Sequence, residues 1–467
     1  MQECCDPLCV LAVMSSLVPI ALLSGLACAT EKIHGVNYGG RFVPESYLGL
    51  YGTEEILFKD VSKPSGSQAV SLCDINTADM QDRMSQFLDA SIQESHFDKM
   101  ASLGFNTVRL PLGYWNLIDL PAGTTPNGPA SSRWQNLQNL QPSAQSYLKW
   151  IDRVFQYASA AGLKVLLDFH GAPGGQTGNQ NTGCDLGGDA NAYFNSDWNR
   201  QLGVEAIDTM SELCASYGST CWGITLLNEP YGPGSDGLPR DALAAFYQSA
   251  IQAARQHLNS DTPIVIMDWS YWLQNFWKSE ASSLFANAGK IMFSTHYFEG
   301  AADDLQSAEN TYTGDLNVAR DFVSGSGFEL IITEYYLCNH GDGSSSDPFP
   351  YGDMTRWLVD AFDEFAGSMV WNFDSYYSAW GPVDQADHVG NGAIPWNDIF
   401  SGSTPSVPTP SPSPSPSPSG RCCYGECGTS CQGGYCGQSQ ANCEGSCAGL
   451  WCPGQGGTGG DSQATVI

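Results

Sequence analysis

Two glutamates stand where acid–base and covalent chemistry could be done. Glu229 follows the apolar run of GITLLNEP (Gly223 to Pro230), and Glu334 follows that of ELIITEYYL (Glu329 to Leu337). Each run has the length and β-branched content of a buried strand, so each carboxyl is presented where a strand gives way to a loop. A lone glutamate at a strand end is most often a solvated residue. Two on separate strands of one closed sheet can face each other, and opposed carboxyls suit the cleavage of an acetal. One would protonate the departing oxygen while the other meets the anomeric carbon, about 5 Å apart when configuration is retained.

Other polar side chains recur at the same place in the pattern. Arg109, Asp168 with His170, Asn228 beside Glu229, Asp268, His296 and Trp371 all end or follow short apolar runs. Those runs predict strands near 33–37, 106–110, 164–169, 223–227, 264–268, 291–295, 329–333 and 368–372. Longer amphipathic stretches lie between them. Leu148, Ile151, Val154, Phe155 and Ala158 recur at the spacing of one helical face, and further helices are expected over 197–216, 240–258 and 353–365. Eight strands alternating with helices predict an α/β fold, a (β/α)₈ TIM barrel. In a barrel the C-terminal strand ends form one mouth, so these residues converge on a single cleft; an open doubly wound sheet would scatter them.

Three motifs resemble the exo-β-1,3-glucanase-like members of glycoside hydrolase family 5, in the cellulase superfamily. They are IHGVNYGGRFVPES (Ile33 to Ser46), GFNTVRLPLGYWN (Gly104 to Asn116) and GLKVLLDFHGAPGGQTGNQNTG (Gly162 to Gly183), and the resemblance extends to about residue 400. It implies a retaining hydrolase with Glu229 as acid/base and Glu334 as nucleophile. Arg109 would hold Glu334 as a carboxylate, Asn228 would bind the sugar 2-hydroxyl, and His170 would line the subsite near the acid. Trp371 would be the indole platform under the reacting sugar, Glu45 a substrate contact, and Trp380 a flank of a further subsite. His296 and an adjacent aromatic would orient the nucleophile. The family places His and Tyr two apart, whereas this chain has His296, Tyr297 and Phe298. Either Tyr297 serves through a shift of register, or the phenolic hydrogen bond is absent.

Composition agrees with an exported hydrolase acting on a neutral polymer. The formal net charge is −30, a field that repels nucleic acid and anionic membranes. Residues 1–29 hold an uncharged, largely apolar stretch followed by Ala27-Cys28-Ala29, which reads as a cleaved signal peptide or, alternatively, a membrane anchor. With the signal removed, no membrane association is expected, and the chain should be monomeric. Of the 17 cysteines, four lie in that segment, five in the body, and eight between Cys422 and Cys452. Cys214 and Cys221 are near enough to pair across a helix-to-strand turn, and the odd count leaves at least one body thiol unpaired.

The body, residues 30–403, gives way to a Pro/Ser alternation over 404–420, which favours extended polyproline II. The cysteine-dense segment 421–452 follows, then a glycine-rich tail, 453–467. Tyr424, Tyr435 and Trp451 make the dense segment a candidate carbohydrate-binding module, with a disulfide-braced spacer as the alternative. The seven histidines are dispersed and there is no H-E-x-x-H or phosphate loop, so neither a metal nor an organic cofactor is called for. GPGSDG (Gly232 to Gly237) follows the Glu229 strand rather than opening a βαβ unit and reads as a loop. The expected activity is exo-cleavage of β-1,3-glucan. An endo-β-1,4-glucanase or another β-glycosidase on the same barrel, and a non-catalytic glycan-binding wall protein, are the alternatives.

Overall fold

The computed structural model describes residues 31–48, 50, 52–62, 70–75, 78–121, 124–126, 137, 143–177, 180–184, 196–230, 239–267, 273–298, 305–335, 351–373, 395–401, 420–423, 431–432 and 450–453. Residues 1–29, Asp268, Cys338, Trp380, the 232–237 loop and nearly all of the linker and tail lie outside them.

Eight short apolar runs become eight parallel strands: β1 Ile33–Asn37, β2 Thr107–Gly113, β3 Lys164–Gly171, β4 Cys221–Thr225, β5 Ile264–Met267, β6 Ile291–Tyr297, β7 Glu329–Tyr335 and β8 Gly367–Val370. They pair in sequence order, and β8 returns to β1, closing the barrel. A strand covered on both faces must be apolar throughout rather than alternating. In β3 only Lys164 is exposed and the next seven residues are buried. Inside, Ile33, Leu166, Val265, Met292, Ile331 and Met369 from six strands form a separate apolar cluster. Outward-facing residues pack on the helix layer.

That layer contains α1 Met80–Ser91, α2 Glu94–Ser102, α3 Ala144–Ala160, α4 Asp197–Ser216, α5 Arg240–Ala254, α6 Lys278–Leu284, α7 Leu305–Ser326, α8 Tyr351–Phe362 and α9 Trp396–Phe400. In α3 the buried face is Tyr147, Trp150, Ile151, Val154, Phe155 and Ala158, each large side chain contributing about 1.5–3 kcal/mol on leaving water. Helix α4 occupies the expected span because Ser196 caps it by accepting from the Asn199 amide at 3.3 Å. Cys214 then joins Cys221 at the start of β4, with Cα atoms 5.3 Å apart. Helix α5 ends earlier than expected. Just past its end, Arg255 turns to donate to the carbonyls of Ala288, Asn259, Thr262 and Lys290.

Between β1 and β2 lies an insertion built of a 3-10 turn at Ser46–Leu48, a π-turn at Thr53–Leu57, a 3-10 turn at Leu72–Asp74, and then α1 and α2. Cys73, in the third of these turns, is bonded to Cys184 in the loop after β3. Among the described residues no helix is long and apolar enough to cross a membrane. Residues 403–467 form a second unit containing a small antiparallel sheet of β9 Gly420–Cys423, β10 Cys431–Gln432 and β11 Leu450–Pro453, with β9 central.

Barrel closure places Ile33 opposite Gly367, whose φ is +123°. A Cβ there would sit 2.1 Å from the Ile33 carbonyl oxygen, an atom of the sheet backbone that cannot step aside. Gly367→Ala should therefore destabilise the barrel by about 3 kcal/mol, combining a disallowed dihedral with a clash at the closing seam. Thermal or urea unfolding of the variant checks this; an unchanged midpoint would contradict it.

Candidate active site

Arg109, on β2, is wholly buried at the mouth of the barrel, so its charge needs partners from the protein, and they gather on its two terminal nitrogens. Nη1 donates to Asn37 Oδ1 at 2.8 Å and to Glu334 Oε1. Nη2 donates to Asn228 Oδ1 at 2.7 Å and lies 2.8 Å from Asp168 Oδ1. One guanidinium thereby joins residues on β1, β3 and β7 and just beyond β4. Asn37 is itself fixed by donating to the carbonyls of Thr333 and Val370 at 2.9 and 3.2 Å, which ties the first strand to the last two.

Glu229 sits four residues past the end of β4 with φ +40°, the left-handed region that a non-glycine residue occupies at a cost of roughly 1–3 kcal/mol. Its carboxyl is held at both oxygens. His296 Nδ1 lies 2.9 Å from Oε1, and Asn181 Nδ2 donates to Oε2 at 2.8 Å. His296 Nε2 is 3.0 Å from Thr333 Oγ1, and Nδ1 is 3.6 Å from Glu334 Oε2. A shift of register between Thr295 and His296 sets His296 opposite Glu334 across the β6–β7 pair. One carboxyl oxygen of each glutamate and a ring nitrogen of His296 lie within 4.8 Å of one another. Those three could in principle ligate a cation, but the guanidinium against Glu334 already supplies a positive charge there.

The electrostatics follow from one cation among three buried carboxyls. Burial works against a charge on Asp168, yet Arg109 and the hydrogen bond from His170 prevail and hold it below the usual carboxylate range. Burial pushes Glu229 up, offset in part by His170 and Arg109. Burial also pushes Glu334 well up; Arg109 opposes this, while the charges of Glu229 and Asp168 add to it. The two glutamates titrate as a pair rather than separately. Burial, with Arg109 adding to it, drives His296 well below 6.5, so its ring is neutral.

The aromatic wall and the remaining candidates are placed as follows. His170 Nδ1 is 2.7 Å from Asp168 Oδ2, and its ring stacks on Trp371 at 5.7 Å and 11°. Gly39 leaves room for that indole, since a Cβ there would meet it at 2.4 Å. Glu45 is buried just beyond β1. Tyr297 corrects the sequence reading. Alternation along β6 turns it away from the carboxyls toward the helices, where its ring stacks on Phe362 at 5.5 Å and its hydroxyl donates to the Asp315 carbonyl at 3.3 Å. Among the described residues, the aromatic ring beside His296 is Phe298, 5.7 Å away, and it carries no hydroxyl. Sequence reasoning missed Asn37, Asn181 and Gln176. Gln176 donates to the carbonyls of His170 and Asn228 at 2.6 and 2.9 Å. Asn37 ends an expected strand, the signal that identified the others, and the remaining two stand inside the third motif.

The sequence model described as cellulase (glycosyl hydrolase family 5) matches residues 65–376. The chain is 28% identical over 358 residues to a glucan 1,3-beta-glucosidase of Lachancea kluyveri, covering 75% of this chain and 72% of that protein. It is 30% identical over 265 residues to a glucan 1,3-beta-glucosidase of Schwanniomyces occidentalis, covering 53% and 55%. Among solved structures, rutinosidase from Aspergillus niger shares the fold at a TM-score of 0.55 and 19% identity, covering 80% of this chain and 97% of that one.

A carboxyl whose affinity for the proton is raised by folding adds stability at low pH, and that stability is lost as pH rises through its folded value. Burial and the charge of Glu229 put Glu334 in this position once both glutamates are ionised. Glu334→Gln should therefore unfold at a higher temperature than the native chain at pH 7, and the gap should close as pH falls toward about 4.5, the ordinary glutamate value. Melting curves across that range check it, and a variant less stable at pH 7 would contradict it.

Proposed function

The chain belongs to glycosyl hydrolase family 5, and we propose that it is a secreted, retaining β-glucan hydrolase that releases glucose from the ends of β-1,3-linked chains. The observation that carries the mechanism is the approach of the Glu229 and Glu334 oxygens to within 4.8 Å, with Glu334 the one of the two that is hydrogen-bonded to Arg109. Retaining enzymes hold their carboxyls about 5–5.5 Å apart, whereas inverting ones leave about 6.5–9.5 Å for a water. The linkage preference is supported by relatives named glucan 1,3-beta-glucosidase.

Singly protonated, the pair has two places for its proton. The direct guanidinium contact favours charge on Glu334, so the proton resides on Glu229. Glu334 attacks the anomeric carbon as Glu229 gives its proton to the departing oxygen, and a glycosyl ester forms on Glu334. Glu229, now a carboxylate, takes a proton from an entering water that cleaves the ester, which restores both groups. Asn228, whose amide oxygen accepts from Arg109, binds the sugar 2-hydroxyl in this reading. Trp371, backed by His170, offers the flat apolar face on which the sugar ring rests. Loss of the first proton from the pair switches activity on and loss of the second switches it off. With both carboxyls pushed up by burial, the active window lies higher in pH than for ordinary glutamates.

The C-terminal unit is read as a disulfide-braced module that holds the enzyme near insoluble glucan, raising its effective concentration there. Its tether accounts for this arrangement, as does the recurrence of glycine and aromatic residues between its cysteines.

Glu334→Ala should lower turnover by about 10⁴-fold, and Glu229→Ala by about 10²–10⁴-fold on substrates with poor leaving groups. Azide should rescue both, giving a glycosyl azide of inverted configuration with the first and of retained configuration with the second. Exchanged stereochemistry would reverse the two roles. On laminarin, carboxymethyl cellulose and xylan, glucose should appear from laminarin from the first time point. Oligosaccharides appearing first, or turnover only on carboxymethyl cellulose, would overturn the exo-β-1,3 assignment.

A further inference from the structure

The loop after β3 reaches back to Glu229 and is fastened at several points. At its start Gln176 spans the carbonyls of His170 and Asn228. In its middle Thr177 Oγ1 donates to Asn181 Oδ1 at 2.8 Å, which sets the amide with Nδ2 toward Glu229 Oε2, 2.8 Å away. At its end Gly183, with φ +91°, lies so close to Trp115 that a Cβ would meet the indole at 2.2 Å. The next residue, Cys184, is buried and bonded to buried Cys73 of the β1–β2 insertion, their Cα atoms 5.2 Å apart. The described loop residues from Asn181 to Cys184 are thus clamped between an indole and a covalent tie to a different part of the chain.

We propose that Asn181 is a positioning residue for the proton on Glu229, and that the Cys73–Cys184 bridge works in catalysis by keeping Asn181 there. Nothing in the two-carboxyl reaction requires this donor, and the inference rests on the reading of Glu229 as the acid/base. A neutral amide donating to one carboxyl oxygen stabilises the ionised form and fixes the rotamer. With Oε2 occupied by Asn181 and Oε1 beside His296, the carboxyl cannot turn away from the cleft. Among the described residues, the groups facing Glu229 are Asn181, His296, Arg109, Asp168, His170 and Glu334. Of these, Asn181 alone sits on a segment secured by a disulfide among the described residues.

The experiment is the pH dependence of kcat and kcat/KM on laminarin for a set of full-length variants. Asn181→Ala removes the donor and should move the alkaline limb to higher pH, with kcat falling about tenfold at the native optimum, the scale of one charge-assisted hydrogen bond, and KM little changed. Asn181→Asp has nearly the same shape but puts a negative charge in place of the donor, so its limb should move further in the same direction. A purely structural role would give no such order. Cys73→Ser with Cys184→Ser should move the limb as Asn181→Ala does, and adding Asn181→Ala to that pair should move it no further. Should the cysteine pair fail to fold, Thr177→Val, with the bridge intact, frees the amide to rotate and should displace the limb in the same sense.

An unmoved limb in both Asn181 variants overturns the proposal, as does a displacement by the cysteine pair that adds fully to that of Asn181→Ala. Glu229→Gln separates this failure from that of the underlying reading. Loss of its alkaline limb keeps Glu229 as the acid whatever Asn181 does, whereas a limb that survives in Glu229→Gln removes the assignment on which the proposal rests.

Discussion

A guanidinium sealed from water needs its partners within the protein, and in this barrel the partners of Arg109 are the active site. Glu334 and Asn37 share one terminal nitrogen of its fork, and Asp168 and Asn228 share the other. Because these residues come from the first, third, fourth and seventh segments of the sheet, they can satisfy the charge only once the barrel has closed. Folding and assembly of the site are therefore one event. A lysine could not substitute, having a single ammonium on a flexible stem where a planar fork is required. The same geometry divides labour between two carboxyls: Asp168 balances the cation permanently, and Glu334 shares it while remaining open to the cleft.

Around that hub the chain accepts local costs where chemistry gains from them. Glu229 holds a left-handed backbone, and burial opposes ionisation of both glutamates while leaving His296 neutral. Unfavourable charge and strain of this kind persist only where the surroundings over-determine them. Here the surroundings are the closed sheet beneath and the disulfide-tied loop above. A site stabilised by removing its own carboxyl is the expected signature of such a compromise.

What could be read from the sequence was whatever depends on near neighbours or on a repeating pattern. The eight apolar runs, helix α4 with its Ser196 cap, and the Cys214–Cys221 link are local, and each is where the pattern put it. Helix α5 was read too long because Arg255 continues the helical pattern while its side chain is drawn off to carbonyls beyond the helix. Tyr297 was misplaced because proximity to His296 in sequence means opposite faces in a strand, and only the structure shows that alternation resumes after the irregularity at Thr295. Asn181 meets Glu229 across 48 residues and Cys73 meets Cys184 across 111, separations that no short-range pattern encodes.

The account turns on Glu334 forming a bond to the sugar while Arg109 holds it. A 2-deoxy-2-fluoro-β-glucoside with a good leaving group tests this directly, because the fluorine slows release of the glycosyl ester more than its formation. Peptide mass spectrometry of the inactivated enzyme should find one fluoroglucosyl unit, on the peptide that contains Glu334. A label on any other residue, or release of an inverted sugar with no label at all, would contradict it.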